Sequence, residues 1–106
     1  MDVLRLGVIP TPGVAFLTAE LGADIGVMLS ASHNPAPDNG IKLFARGGFK
    51  LPDAAELELE QLIAGDAIDM GRPIGKHVGR AERLDDAPGR YVAFVKQTFP
   101  QALSLE

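Results

Sequence analysis

ADIGVMLSASHNPAPDNGIKLFA, residues 23–45, is the stretch that decides the fold. Its first seven residues alternate, with Ile25, Val27 and Leu29 on one face and Gly26 and Met28 on the other, which is the period of a strand. The next eleven, Ser30 to Gly40, are mostly polar, carry Pro35 and Pro37, and end in Asn39-Gly40, a strong turn signal. Residues 41–45 then read as a further strand. A parallel crossover takes a dozen or more residues and usually a helix. No helix fits between these two strands, so the pair is expected to be antiparallel and the sheet mixed.

Working outward, residues 3–9 form a short, mostly apolar run with Val3, Val8 and Ile9, expected as a buried strand. Pro10-Thr11-Pro12-Gly13 ends it, and Thr11 is a candidate N-cap with Pro12 at the first helical position. Val14, Leu17 and Leu21 share one helical face, and Gly22 suits the C-terminal cap. Downstream, Pro52-Asp53 opens a second helix with Leu57 and Ile63, joined by Leu59 and Leu62, expected to face the core. Residues 65–81 hold four glycines and little periodicity, the signature of a loop or extended linker. Asp85 or Asp86 would cap a last helix over about 88–99, with Tyr91, Val92, Val95 and Phe99 as its apolar stripe. The order implies an α/β layered domain over residues 1–106. Three short strands make a narrow sheet, so the expectation is that an N-terminal strand and helix lie outside this sequence. Failing that, the open sheet edge would favour self-association.

The chain has 106 residues, 46% of them hydrophobic and 23% charged, the balance of one globular domain. Its net charge of −4 argues against nucleic acid or anionic membrane as a partner. It has no cysteine, which excludes disulfides, thiol nucleophiles and thiolate zinc sites. The longest uncharged stretch, residues 6–19, is broken by two prolines and two glycines and falls short of a membrane span. No secretory signal is read at the start, so the expected location is cytoplasmic.

The chemistry-bearing segment is Ser30 to Lys42. By residue type alone it is a constrained polar loop at the end of a strand, where α/β proteins place ligands. Read without other knowledge, such a loop is more often a plain connection. Neither serine has the glycine neighbours of a hydrolase nucleophile elbow. Gly71-Arg72-Pro73-Ile74-Gly75-Lys76-His77 is one residue short of a P-loop and lacks its Ser/Thr. His33 and His77 are too isolated to argue for zinc.

Ser30-Ala31-Ser32-His33-Asn34-Pro35, continued by Asp38-Asn39-Gly40-Ile41-Lys42, resembles the active-site loop of the α-D-phosphohexomutases, which move phosphate between the 1- and 6-positions of a hexose. The flanking match, from Pro10-Thr11-Pro12-Gly13 to Asp86-Ala87-Pro88-Gly89-Arg90-Tyr91 and Thr98-Phe99-Pro100, is to the branch that acts on hexosamine phosphates. The resemblance implies a layered α/β/α domain with a mixed sheet, the first domain of that family. It makes Ser32 the phosphoserine that lends its phosphate to the sugar, forms a bisphosphate and takes a phosphate back. It sets His33 beside that phosphate as a hydrogen-bond or proton-transfer partner, and Lys42 as the cation near the reacting groups. Ser30, Asn34, Pro35, Asn39 and Gly40 become loop-shaping residues, with Gly40 expected in a positive-φ turn that aims Lys42 at Ser32.

The implied partners are a hexosamine phosphate and a hexose bisphosphate. The implied cofactor is Mg²⁺, which would touch Ser32 through its phosphate. The family's D-G-D-x-D-R magnesium segment, its sugar-reading G-E-x-S-G segment and its phosphate-clamping loop do not occur in this sequence. The expectation is therefore part of a first domain, inactive alone, from an enzyme that interconverts glucosamine 6-phosphate and glucosamine 1-phosphate for amino-sugar nucleotide and cell-wall precursor synthesis. The alternatives are a mannose- or glucose-phosphate mutase fragment, or a non-catalytic interaction domain.

Overall fold

A computed structural model describes residues 1–65, 71–100 and 103. In chain order it contains β1 (Val3–Arg5), α1 (Thr11–Glu20), β2 (Ile25–Ser30), β3 (Gly40–Ala45), α2 (Asp53–Ala64), a 3₁₀ turn at Gly75–His77, β4 (Ala81–Arg83) and α3 (Ala87–Thr98). β2 and β3 are antiparallel, with Ile25 opposite Ala45, Met28 opposite Lys42 and Ser30 opposite Gly40. β1 and β4 are parallel, with Val3 opposite Ala81 and Arg5 opposite Arg83. The expected mixture of parallel and antiparallel pairing is present, divided between two two-stranded sheets. No helix among the described residues is long and apolar enough to cross a membrane.

Helix α1 holds these pieces together. It packs on β2, β3 and α3. Pro10 in extended backbone precedes it, and Pro12 sits in its first turn, where a missing N–H deprives no partner. Its C-terminus closes with paired bonds, Gly22 N–H to Ala19 C=O (3.2 Å) and Ala23 N–H to Thr18 C=O (3.1 Å). Gly22 takes the left-handed conformation that this closure requires, at φ +62°. The fully buried apolar residues are Ile9, Val14, Leu17 and Ala87, and Leu6, Phe16, Leu21, Met28, Phe44 and Leu84 pack around them. Phe16 stacks on Phe94 with ring centroids 4.2 Å apart, and Tyr91 lies 6.3 Å from Phe16. Arg90 adds a polar tie across α1 and α3, with its Nε 2.8 Å from Asp86 and a terminal nitrogen 3.8 Å from Glu20.

Several expectations change. The run 3–9 is not one buried strand: β1 stops at Arg5, all three of its residues are exposed, the chain bends at Val8, and only Ile9 enters the core. The α1 N-cap is Pro10, not Thr11. The alternation of β2 is as read, but its buried side is Gly26 and Met28, because α1 lies there. Val27 and Leu29 remain 52% and 70% exposed, so the aliphatic face is bare. Helix α2 buries no residue completely and, among the described residues, lies against no other helix or strand. Leu57, Leu62 and Ile63 point to solvent, and only Leu59 of the expected core set is partly covered.

The expected linker over 65–81 ends in strand β4, which the weak pattern Ala81-Glu82-Arg83 did not announce. Residues 66–70 of that linker lie outside the described residues. Helix α3 starts one residue earlier than read. It packs through Ala87, Tyr91 and one face of Phe94, which stacks on Phe16 yet is exposed on its other side, as are Val92, Val95 and Phe99. Asp86 is its N-cap position, but the carboxylate accepts from Arg90 instead of capping the helix. The radius of gyration is 17.0 Å against about 13 Å for a compact chain of this length, in keeping with the small four-residue core among the described residues.

Gly26 sits directly under Thr18, whose hydroxyl donates to Val14 C=O at 2.7 Å. A Cβ at position 26 would run into Thr18 Oγ1 and come within 3.1 Å of its Cβ. Gly26→Ala is expected to destabilise the chain by about 1–3 kcal/mol, and by clearly less in a Thr18→Ala background. Thermal unfolding followed by circular dichroism measures both. A Gly26→Ala variant as stable as its parent contradicts the close approach of α1 to β2.

Candidate functional site

Strand β2 delivers the segment that sequence reading singled out, and β3 takes it away. Ser30 is the last residue of β2, Gly40 to Lys42 begin β3, and residues 31–39 form the connection. The connection is two successive turns. Asn34 N–H bonds Ala31 C=O at 2.9 Å, and Asp38 N–H bonds Pro35 C=O at 2.9 Å. The Asn39 side-chain amide donates to Ala36 C=O at 2.8 Å and braces the second turn. Pro35 begins that turn, and with Pro37 it limits the conformations open to the connection.

Ser32 occupies the second position of the first turn. Its φ is +55°, and it is the one non-glycine residue with positive φ among the described residues. Positive φ at that position marks the turn types usually filled by Gly, Asn or Asp. The Ser32 N–H donates to Ser30 Oγ at 2.9 Å. The Ser32 side chain is exposed, with its Oγ 3.4 Å from His33 Nδ1, a long contact in which the imidazole tautomer decides which group donates. Lys42 stands opposite Met28. By strand alternation it shares a face with Gly40 and Ser30, two pairs further from the turn. Ser32, His33 and Asn34 therefore share one tight turn bonded back to Ser30, and Lys42 lies on the same strand face as Ser30.

Two expectations are corrected. Gly40 has no positive φ, because it is extended and paired with Ser30; the left-handed residue is Ser32 itself. Asn39-Gly40 is not the reversal of the hairpin, which lies in the turns 31–34 and 35–38. Sequence reading also missed the Ser30 hydroxyl as the acceptor for Ser32 N–H. The Ser-x-Ser spacing was its signal, since serine hydroxyls bond the backbone two residues on.

A hydroxyl at the apex of a rigid turn, with an imidazole beside it and an ammonium near the strand end, can carry and release an anionic group. Mg²⁺ takes several oxygen ligands in near-octahedral geometry. Among the described residues no three His, Cys, Asp or Glu side chains converge to hold an ion. The described residues do not by themselves fit a magnesium cage. Two open concavities lie elsewhere, one beside Asp2, Lys76, Arg80 and Glu82 and one beside Val95, Phe99 and Pro100. Neither takes in a loop residue.

Comparison with known proteins adds to this geometry. Residues 1–68 match the family model described as phosphoglucomutase/phosphomannomutase, alpha/beta/alpha domain I. Over 105 residues, 99% of this chain, the sequence is 58% identical to the phosphoglucosamine mutase of Syntrophotalea carbinolica. It is 57% identical over the same share to the phosphoglucosamine mutase of Geotalea uraniireducens, and 53% identical over its full length to that of Desulfotalea psychrophila. The chain spans only 23–24% of the length of these relatives.

The positive φ of Ser32 is testable without any assumption about activity. Ser32→Gly and Ser32→Ala both remove the hydroxyl and differ in the Cβ, which the left-handed region disfavours by about 1–2 kcal/mol. Ser32→Gly is expected to be the more stable of the two by about 1 kcal/mol in denaturant unfolding. The reverse order would mean that Ser32 is not left-handed.

Proposed function

Because the chain belongs to the phosphoglucomutase/phosphomannomutase family, we propose that it supplies the phosphate-carrying loop of a phosphoglucosamine mutase. In this reading the whole protein interconverts glucosamine 6-phosphate and glucosamine 1-phosphate, on the cytoplasmic route to amino-sugar nucleotides and cell-wall precursors. One observation carries it: Ser32 is exposed in a tight turn with positive φ, its hydroxyl beside His33 Nδ1. The high identity to proteins named phosphoglucosamine mutase favours the amino-sugar branch.

The proposed chemistry starts from phosphorylated Ser32, which holds about −1.5 to −2 charges at neutral pH. The free hydroxyl of a hexosamine monophosphate attacks the phosphorus in line with the Ser32 Oγ–P bond. The new O–P bond forms as the old one breaks, the sugar hydroxyl gives up its proton, and Ser32 Oγ gains one. The product is a sugar bisphosphate. It turns over, and Ser32 Oγ attacks the other phosphate, which returns to the enzyme and frees the isomeric monophosphate. Little of this needs covalent help from the protein; alignment and charge neutralisation dominate. The turn aligns Oγ, His33 Nδ1 holds or passes the serine proton, and the Lys42 ammonium offsets charge on the transferring group. Mg²⁺, when present, neutralises phosphate charge, and its carboxylate ligands are proposed to come from outside the described residues.

In the whole protein, label from a ³²P-hexose bisphosphate is expected on Ser32, and Ser32→Ala is expected to lower turnover roughly a thousandfold or more. Unlabelled Ser32, or a Ser32→Ala enzyme of normal rate, refutes the reading. Equal or better turnover on mannose or glucose phosphates would move the protein to the phosphomannomutase or phosphoglucomutase branch named in the family description. The 106-residue chain alone is expected to show no turnover and, with every strand at an edge, to self-associate. A purified chain that turns over substrate, or stays monomeric in light scattering at high concentration, contradicts those two expectations.

A further inference from the structure

We propose that Ser30 is a positioning residue for phosphate transfer at Ser32, acting through the Ser32 backbone; the proposal rests on the mutase reading above. Ser30 ends β2 and is held by its pairing with Gly40, so its hydroxyl projects from a fixed strand and not from the connection. That hydroxyl accepts the Ser32 N–H at 2.9 Å. The carbonyl of the same peptide unit, Ala31 C=O, accepts Asn34 N–H at 2.9 Å and closes the turn. The two bonds pin one peptide unit, Ala31–Ser32, by its N–H and by its C=O, and so fix the plane from which the Ser32 φ of +55° is measured.

A serine does not stay in that region unaided, because its Cβ crowds the following carbonyl. The hydroxyl of residue 30 stands in for a backbone carbonyl and offsets the strain. The direction of the Ser32 Cα–Cβ bond, and so the line along which Oγ meets phosphorus, is thus set by a side chain two residues away. The same bond occupies the Ser32 N–H. Ser30 therefore affects the transfer step more than sugar binding, and the hydroxyl is what matters.

The test uses Ser30→Ala, which removes the acceptor, and Ser30→Thr, which keeps it. In the 106-residue chain, Ser30→Ala is expected to speed amide hydrogen exchange at Ser32 by about fivefold to tenfold, the worth of one hydrogen bond. Exchange at Val27 and Leu43 within the strand pair should not change, and Ser30→Thr should restore the parent rate at Ser32. In the whole protein, Ser30→Ala should slow labelling of Ser32 from a hexose bisphosphate and lower kcat about tenfold or more with KM unchanged, and Ser30→Thr should recover most of it. Unchanged Ser32 exchange in Ser30→Ala overturns the proposal, as does a normal kcat or a loss confined to KM. Absence of label from the unaltered protein would refute the mutase reading itself, and the exchange experiment still judges the hold of Ser30 on the turn.

Discussion

Helix α1 can lie on β2 only because position 26 has no side chain. The Thr18 hydroxyl occupies the space a Cβ would need, and it is satisfied internally by Val14 C=O. This contact seats Val14 and Leu17 against the sheet and turns the opposite side of α1 toward α3, where Phe16 meets Phe94 and Tyr91. The arrangement also orients β2, whose last residue launches the loop. The core is small and the loop is exposed, yet the two are one strand apart.

The loop achieves rigidity with few residues. Two turns in series, each closed by a backbone bond, are flanked by strand pairing at Ser30 and Gly40 and stiffened by Pro35 and Pro37. The side chains of Ser30 and Asn39 supply the remaining bonds, each to the backbone and not to another side chain. Such bonds act on chain direction, and that suits a site whose task is to present one hydroxyl. The imidazole of His33 and the ammonium of Lys42 then need only be close, since phosphoryl transfer depends more on alignment and charge than on covalent partners.

Much of this was legible in the sequence, and what was not has physical reasons. The antiparallel β2–β3 pair followed from chain length, because the connection is too short for a crossover helix. Alternation located β2 but could not say which face would be covered; a glycine face is buried because a helix can approach it closely. β4 carries no apolar signature, and its pairing with β1 is what makes Ala81–Arg83 a strand. In α3 the valines and the aromatics both repeat at helical spacing, and the stacking of Phe94 on Phe16 decides between them. Helix α2 has a clear apolar stripe whose partner is not among the described residues. At the site, residue types and spacing pointed to Ser32, His33 and Lys42. The left-handed backbone was assigned to glycine by general preference, whereas here the reacting serine adopts it.

That placement has an evolutionary edge. The residue best suited to the backbone at position 32 is glycine, and glycine has no hydroxyl with which to carry any chemistry there. Selection for a sturdier fold and selection for a working hydroxyl therefore pull in opposite directions at a single codon. Attempts to harden this domain by substituting statistically favoured residues would spend their gain at that spot on a silent protein.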